Sequence, residues 1–380
     1  MYSVEKRALF PVSFRTKCFI FVKKIKMEIQ AQYPIYIGDN HLAELNGILE
    51  DHSDKYSNIF IIVDENTKVH CLPFLLTTVP YLDGYDVIEI PSGEENKTLE
   101  ICQGIWATLT DANADRQTLI INLGGGVLCD LAGFTAATYK RGVRFIHIPT
   151  TLLSQVDASV GSKVAVDFSG FKNQIGLFAD PMMVLVEPQF LTTLDQRQWL
   201  SGFAEIIKHA LIADLNYWNL IKQGFEPSLL NDYISQSILI KKDVVLADRD
   251  ESGKRKILNF GHSIGHAIES HFLSSEKPML HGEAVAIGMI IEAYLSMEFA
   301  GFSKEEFKEI TSFILANYDL PTITDSDITE ILKWLGQDKK NDKDSLRFVL
   351  LEKIGSAVFD IVISEDKIIE ALKIAPSLHV

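Results

Sequence analysis

The sequence predicts an α/β protein in two parts: an N-terminal parallel-sheet domain with helices on both faces, then a mainly α-helical C-terminal domain. Three observations predict it. Apolar runs of strand length alternate with helical stretches as far as residue 190. A triple glycine follows one of those runs directly and opens a helix. Beyond Leu191, long amphipathic helical segments take over.

Residues 1–26 stand apart, with Lys6, Arg7, Arg15, Lys17, Lys23, Lys24 and Lys26 set against Glu5. The apolar piece from Cys18 to Val22 is too short for a signal-peptide core. The segment reads as a basic N-terminal extension with Met27 the effective beginning; a targeting or membrane-surface leader is the sharper alternative. Residues 35–38 form a short strand. Residues 58–63 are a continuous apolar run ending at Asp64, the pattern of a strand buried on both faces. Asp86–Ile90 is another strand, closed by Pro91, Ser92 and Gly93, and a helix follows over 97–113. Residues 118–123 run as a strand into Gly124, Gly125 and Gly126, and a helix continues over 128–139. Residues 145–148 and 183–186 complete the series, which implies a parallel sheet. Helices over 201–213, 257–271 and 282–300 dominate the second domain, with a last strand at 346–352. The domains are therefore 27–190 and 191–380.

The chain has 380 residues, 47% hydrophobic and 23% charged, which is ordinary globular composition and suits two cores. A net charge of −15 argues against nucleic-acid binding, but not against an anionic substrate held by local cations. Cys18, Cys71, Cys102 and Cys129 form no C-x-x-C pair, so neither a disulfide framework nor a cysteine zinc site is indicated. A reducing, cytoplasmic setting fits best. No apolar run reaches the ~18 residues of a membrane span.

The glycine loop, Gly124 to Gly126, lets backbone N–H groups approach a phosphate at a helix N-terminus; a tight strand–helix turn is its bland alternative. Asp64 ends an earlier strand, where a carboxylate suits a ribose. Ser92, Gly93, Glu94, Glu95, Asn96 and Lys97 follow the next, and Thr150 and Thr151 a fourth. Ligands of such sheets bind outside the carboxyl ends of the strands, so these loops predict a nucleotide site. In the second domain, His262 and His266 share a helical face at i and i+4, His281 follows, and Glu205 and Lys208 share a face upstream. Two His and one Glu suit zinc with an open fourth position, although a lone His is more often a satisfied core residue. Lys163, Lys172, Asn173, Lys241, Arg255 and Asn259 would suit a substrate carrying phosphate and carboxylate. Singly, each of these lysines, and the Lys339–Lys340 pair, also reads as a solvated surface charge.

Segments 124–134, 148–161, 172–176, 202–209, 258–269 and 281–284 together resemble the 3-dehydroquinate synthase family of sugar-phosphate cyclases. The resemblance runs from Met27 to the C-terminus. It implies a Rossmann-like NAD-binding domain, a helical metal- and substrate-binding domain, and an active site between them. By that resemblance zinc, with cobalt as a possible substitute, would be held by Glu205, His262 and His281. NAD would meet Asp64, Ser92, Gly93, Glu94, Glu95, Asn96, Lys97, the loop Gly124, Gly125, Gly126, Val127, Leu128, Cys129 and Asp130, then Thr150, Thr151, Lys163, Lys172, Phe190, Leu191, Thr192 and Thr193. Substrate would be held by Asp157, Lys163, Asn173, Lys208, Lys241, Arg255, Asn259, His266 and Lys339. His266, Lys163, Glu251 and Asn259 would be the catalytic set, with His266 relaying a proton unless the leaving phosphate acts as its own base.

The family substrate is the sugar-acid phosphate 3-deoxy-D-arabino-heptulosonate 7-phosphate. Transient oxidation by NAD would acidify the neighbouring C–H, phosphate would leave by elimination, the hydride would return, and an intramolecular aldol step would close the ring. Departures from the family pattern occur at Cys129, Ser162, Val164, Asp167 and the Phe168–Ser169 pair. Cys129 and Ser162 would crowd a backbone–phosphate approach. The alternatives are another sugar-phosphate cyclase, a metal-dependent NAD alcohol dehydrogenase, or a non-catalytic paralogue. The resemblance also implies a homodimer.

Overall fold

The computed structural model describes residues 27–38, 40–273, 275, 278–338 and 346–374. The N-terminal extension and Lys339 lie outside them. The described chain forms two compact units, one of residues 27–195 with Pro227–Lys242, the other of Gln196–Glu226 with residues 243–374.

The first unit holds strands β1 (Met27–Gln30), β2 (Pro34–Ile37), β3 (Ile59–Asp64), β4 (Asp86–Ile90), β5 (Leu119–Gly124), β6 (Arg144–Pro149), β7 (Lys163–Phe168), β8 (Phe171–Phe178) and β9 (Val184–Val186). Its helices are α1 (His41–Asp51), α2 (Glu65–His70), α3 (Leu72–Thr78), α4 (Leu99–Asp111) and α5 (Gly126–Thr138). Seven strands make one sheet in the order β1-β2-β9-β6-β5-β3-β4. Only the β1–β2 pairing is antiparallel. The chain steps outward from β3 to β4, then returns to place β5 on the other side of β3 and continues away through β6. The order therefore reverses between β3 and β5, whose carboxyl ends carry Asp64 and the glycine loop.

β3 reads as an unbroken apolar run because both its faces are covered. Ile59, Ile61 and Val63 pack with α1 and α3 residues such as Leu45 and Leu75. Phe60 and Ile62 pack with α4 and α5 residues such as Ile105 and Leu131. Each such side chain contributes roughly 1.5–3 kcal/mol on burial. The β7–β8 hairpin is a separate two-stranded sheet that the sequence reading does not contain.

The second unit is largely helical: α6 (Gln196–Ala213), α7 (Leu215–Ile221), the end of α8 (Leu230–Ala247), α9 (His262–Phe272), α10 (His281–Phe299), α11 (Lys304–Asn317), α12 (Asp325–Asp338) and α13 (Glu365–Leu372). The hairpin β10 (Leu346–Lys353) and β11 (Ser356–Ile363) joins them. α9 starts at His262, later than the predicted 257, because Gly261 adopts a left-handed φ of 78° after a 3-10 turn over Lys254–Asn259. Glycines set how closely three helices approach. A Cβ on Gly288 of α10 would lie 2.0 Å from the Gly261 carbonyl oxygen, and one on Gly282 would lie 2.0 Å from that of Ser201 on α6. Among the described residues, no helix is long and apolar enough to cross a membrane.

Candidate active site

In the second unit, α6, α9 and α10 each deliver one predicted metal-site residue to the same point. Glu205 of α6 is fully buried. Its Oε1 lies 3.4 Å from His262 Nε2 and 3.3 Å from His281 Nε2. Neither Glu205 oxygen attains hydrogen-bond geometry, although Lys208 Nζ pairs with Oε2. His266 joins the group: the ligating atoms of His262, His266 and His281 lie within 4.8 Å of one another. The glycine contacts explain the convergence, since Gly261 and Gly282 each adjoin one of these histidines.

The other ring nitrogens are already engaged. His262 Nδ1 lies 3.1 Å from the Phe260 carbonyl oxygen, and His281 Nδ1 lies 3.1 Å from Glu269 Oε2. Each imidazole can thus donate from Nδ1 and present the Nε2 lone pair toward Glu205. Burial raises the Glu205 carboxyl, but Lys208, His262 and His281 outweigh it and hold it well below the usual carboxylate range. Burial and Lys208 keep His262 below its ordinary value. Burial also lowers His281, yet Glu269 and Glu205 push it up to about 10, so this spot favours positive charge. The His262 and His281 imidazoles beside a buried carboxylate whose oxygens lack hydrogen bonds form a donor set that fits a divalent transition metal, with His266 next to it.

Further predicted residues surround the loop before α9. Asn259 Nδ2 donates to Glu251 Oε1 at 2.7 Å. Arg255 is buried, with its Nη1 donating to the Arg249 carbonyl at 2.6 Å and its backbone N–H to Asp248 at 2.9 Å.

The first unit gathers a second set. Lys97 Nζ donates to Asp130 Oδ2 at 2.6 Å and Asn173 Oδ1 at 2.5 Å, and Lys172 pairs with Glu94 at 3.2 Å. Burial lowers Lys97, but Asp130 and Glu94 push it up to about 12, so it stays charged. Lys241 bridges to Asp157 through its carbonyl (2.7 Å) and carboxylate (2.9 Å). Lys163 opens β7. At the switch point the α5 N-terminus begins at Gly125 with no side-chain cap. A Cβ on Gly125 would meet Thr151 at 3.1 Å, and one on Gly126 would meet Ala158 at 3.1 Å. The loop is a close-fitting backbone cradle, which fits a dinucleotide phosphate. Thr150 N donates to Gly124 O at 3.0 Å, holding the neighbouring loop against it.

Asp64 is the N-cap of α2, and its Oδ1 takes bonds from Asn66 N, Thr67 N and Thr67 Oγ1. Phe190 and Leu191 turn their side chains into the core, because they sit in a 3-10 turn over Pro188–Thr193 that packs Phe190 against Phe74. The Thr192 and Thr193 hydroxyls bond carbonyls within that turn. Sequence reasoning gave no role to Glu65, which holds Ser92 through N–H (2.7 Å) and hydroxyl (2.6 Å) bonds, or to Glu269. Glu269 was findable: it lies seven residues after His262, two turns along the same face.

The sequence patterns of the 3-dehydroquinate synthase N-terminal and C-terminal domains match residues 87–201 and 202–341. A 3-dehydroquinate synthase of Parabacteroides distasonis is 38% identical over 335 residues, covering 87% of this chain and 95% of that one. One from Thermoanaerobacter pseudethanolicus is 40% identical over 359 residues, covering 90% and 98%. The chain belongs to the 3-dehydroquinate synthase family. A crystal structure of 2-deoxy-scyllo-inosose synthase with carbaglucose-6-phosphate, NAD+ and Co2+ is 25% identical, with a TM-score of 0.80, covering 92% of this chain and all of that one (100%).

Four of the departures from the 3-dehydroquinate synthase pattern have local explanations. Ser162 takes a φ of 63°, and its hydroxyl lies 2.5 Å from Asp180 Oδ1 and 3.1 Å from Gln32 Oε1. Asp167 Oδ1 accepts from Asn173 N at 2.7 Å, while its own N–H donates to the Lys97 carbonyl at 2.8 Å, so it braces both partners. Cys129 is buried, with Sγ 3.6 Å from the Gly124 carbonyl. Val164 packs in the core under α5.

Proposed function

We propose that this protein converts 3-deoxy-D-arabino-heptulosonate 7-phosphate to 3-dehydroquinate and phosphate, as a phosphate-eliminating lyase in the cytoplasm, using NAD and a divalent metal, zinc or cobalt. The observation that carries it is the convergence of His262 and His281 on the buried Glu205 within a chain of this family. Bound NAD supplies reversible hydride acceptance, and the cation supplies Lewis acidity toward substrate oxygens.

The chain's own residues do the rest. Glu205, His262 and His281 would hold the cation. The Gly124 to Gly126 cradle, with Lys97 fixed by Asp130, would orient the dinucleotide in residues 27–190. Lys163, Lys208, Lys241, Arg255, Asn173 and Asn259 would bind the phosphate, carboxylate and hydroxyls, which supplies proximity for elimination and ring closure. A ring nitrogen of His266 would take the proton from the carbon next to the phosphate-bearing one, with Glu251 orienting Asn259 beside it. The family resemblance supports a homodimer, which light scattering would check.

Purified protein with zinc, NAD and this substrate should release stoichiometric phosphate with no lasting NADH absorbance. Lasting NADH would identify a dehydrogenase instead. Phosphate release only from a different sugar phosphate would identify another cyclase.

A further inference from the structure

α10 is apolar along most of its length, yet one acidic residue in its middle, Glu292, is fully buried. Its carboxylate leaves α10 sideways. Oε2 accepts from Gly261 N at 2.6 Å and Oε1 from Ile264 N at 3.2 Å. Those N–H groups belong to the start of α9, whose first residue is His262. Helices of this kind normally cap their first turn with a side chain at the preceding position. Here that position is Gly261, which has no side chain and adopts a φ of 78°. The cap is therefore supplied from a different helix, and it grips the residues on either side of His262.

The grip acts along a short lever. Gly261 N and Ile264 N bracket His262, so the carboxylate fixes the backbone from which that imidazole projects. The Phe260 carbonyl, 3.1 Å from His262 Nδ1, sets the ring's rotation from the other side. Glu292 shares α10 with His281, so one helix both presents His281 and aims His262. Burial pushes the carboxyl up to about 8, outweighing the N–H donors that face its two oxygens and lower it.

We propose that Glu292 is a positioning residue for metal binding: a cap lent by α10 to α9 that holds His262 in ligating geometry. The proposal rests on the assignment of His262 to the metal site. Metal-free full-length protein would be titrated with Co2+ against a competing chelator while the visible cobalt absorption is recorded. Glu292→Gln, which keeps one acceptor oxygen, is expected to weaken Co2+ binding about tenfold, and Glu292→Ala up to about 100-fold, both with an altered cobalt spectrum. Trp218→Phe is the control for general destabilisation, because it breaks the 2.6 Å bond from Trp218 to Glu309 and loosens the packing of a buried ring against Phe313. It should lower the melting temperature and leave affinity and spectrum unchanged. Wild-type affinity and spectrum in Glu292→Gln would overturn the proposal, as would an equal loss in Trp218→Phe. Should Glu292→Ala fail to fold, Glu292→Gln carries the test. His262→Ala separates the two levels. If it abolishes binding while the Glu292 variants bind normally, only the role of Glu292 falls; if it binds Co2+ normally, the metal assignment falls and the role of Glu292 with it.

Discussion

Glu269 sits where an imidazole needs an acceptor. Its carboxylate bonds His281 Nδ1 and leaves Nε2 aimed at Glu205. Replacing Glu269 by Gln keeps the shape but removes the charge, and the amide can also turn its NH2 toward the ring. The expected result is a loss in zinc affinity of about 10–100-fold with the fold retained, checked by chelator competition and circular dichroism. Lys208 works in the opposite sense, since its ammonium pairs with the second Glu205 oxygen. At this scale much was readable beforehand. Glu205, His262, His266 and His281 stand out because their types and helical spacing carry the chemistry. Glu269, Glu65 and Glu292 do not, because an acid that orients a partner looks in sequence like any other acid. Two of them left a trace: Glu269 by its seven-residue spacing from His262, and Glu292 as a charge in the apolar middle of a helix, which must be paired.

The crossing of α9 and α10 depends on backbone touching backbone. Gly288→Ala would put a methyl 2.0 Å from the Gly261 carbonyl, and the two helices would have to separate. Destabilisation of roughly 3 kcal/mol is expected, read from urea unfolding. The same change at Gly104 on α4, where an added Cβ meets nothing within 4 Å, should stabilise by about 0.5–1 kcal/mol. The strands β3, β5 and β6 were legible because burial on both faces writes nearly continuous apolar runs. The β7–β8 hairpin was not. Lys163, Asp167, Lys172 and Asn173 interrupt its pattern, and β8 alternates exposed with half-buried positions. The late start of α9 was hidden too, because the apolar periodicity runs back past Gly261 into the 3-10 turn.

Taken whole, the chain should meet acid first through its sheet. His147 of β6 is buried beside Asn122, with Nδ1 3.3 Å from the amide nitrogen, and burial lowers it to about 3. An unfolded histidine titrates near 6.5, so the unfolded chain takes up a proton that the folded one refuses. Stability is therefore full above pH ~6.5 and is lost as pH falls toward 3, by up to roughly 4 kcal/mol. Urea midpoints followed from pH 7 to 4.5 should fall, and His147→Asn should flatten that slope; an unchanged slope would show that the acid sensitivity lies elsewhere. The sheet unit also has a history written into its connectivity. Its last segment, Pro227–Lys242, is made after Gln196–Glu226, which belongs to the other unit. At ribosomal speeds of about 5–20 residues per second, a nascent sheet finished at Asp195 waits roughly 2–9 s for its final piece. During that interval the unit lacks the segment that completes it, so this chain's yield in a cell should depend on how fast it is translated through that stretch.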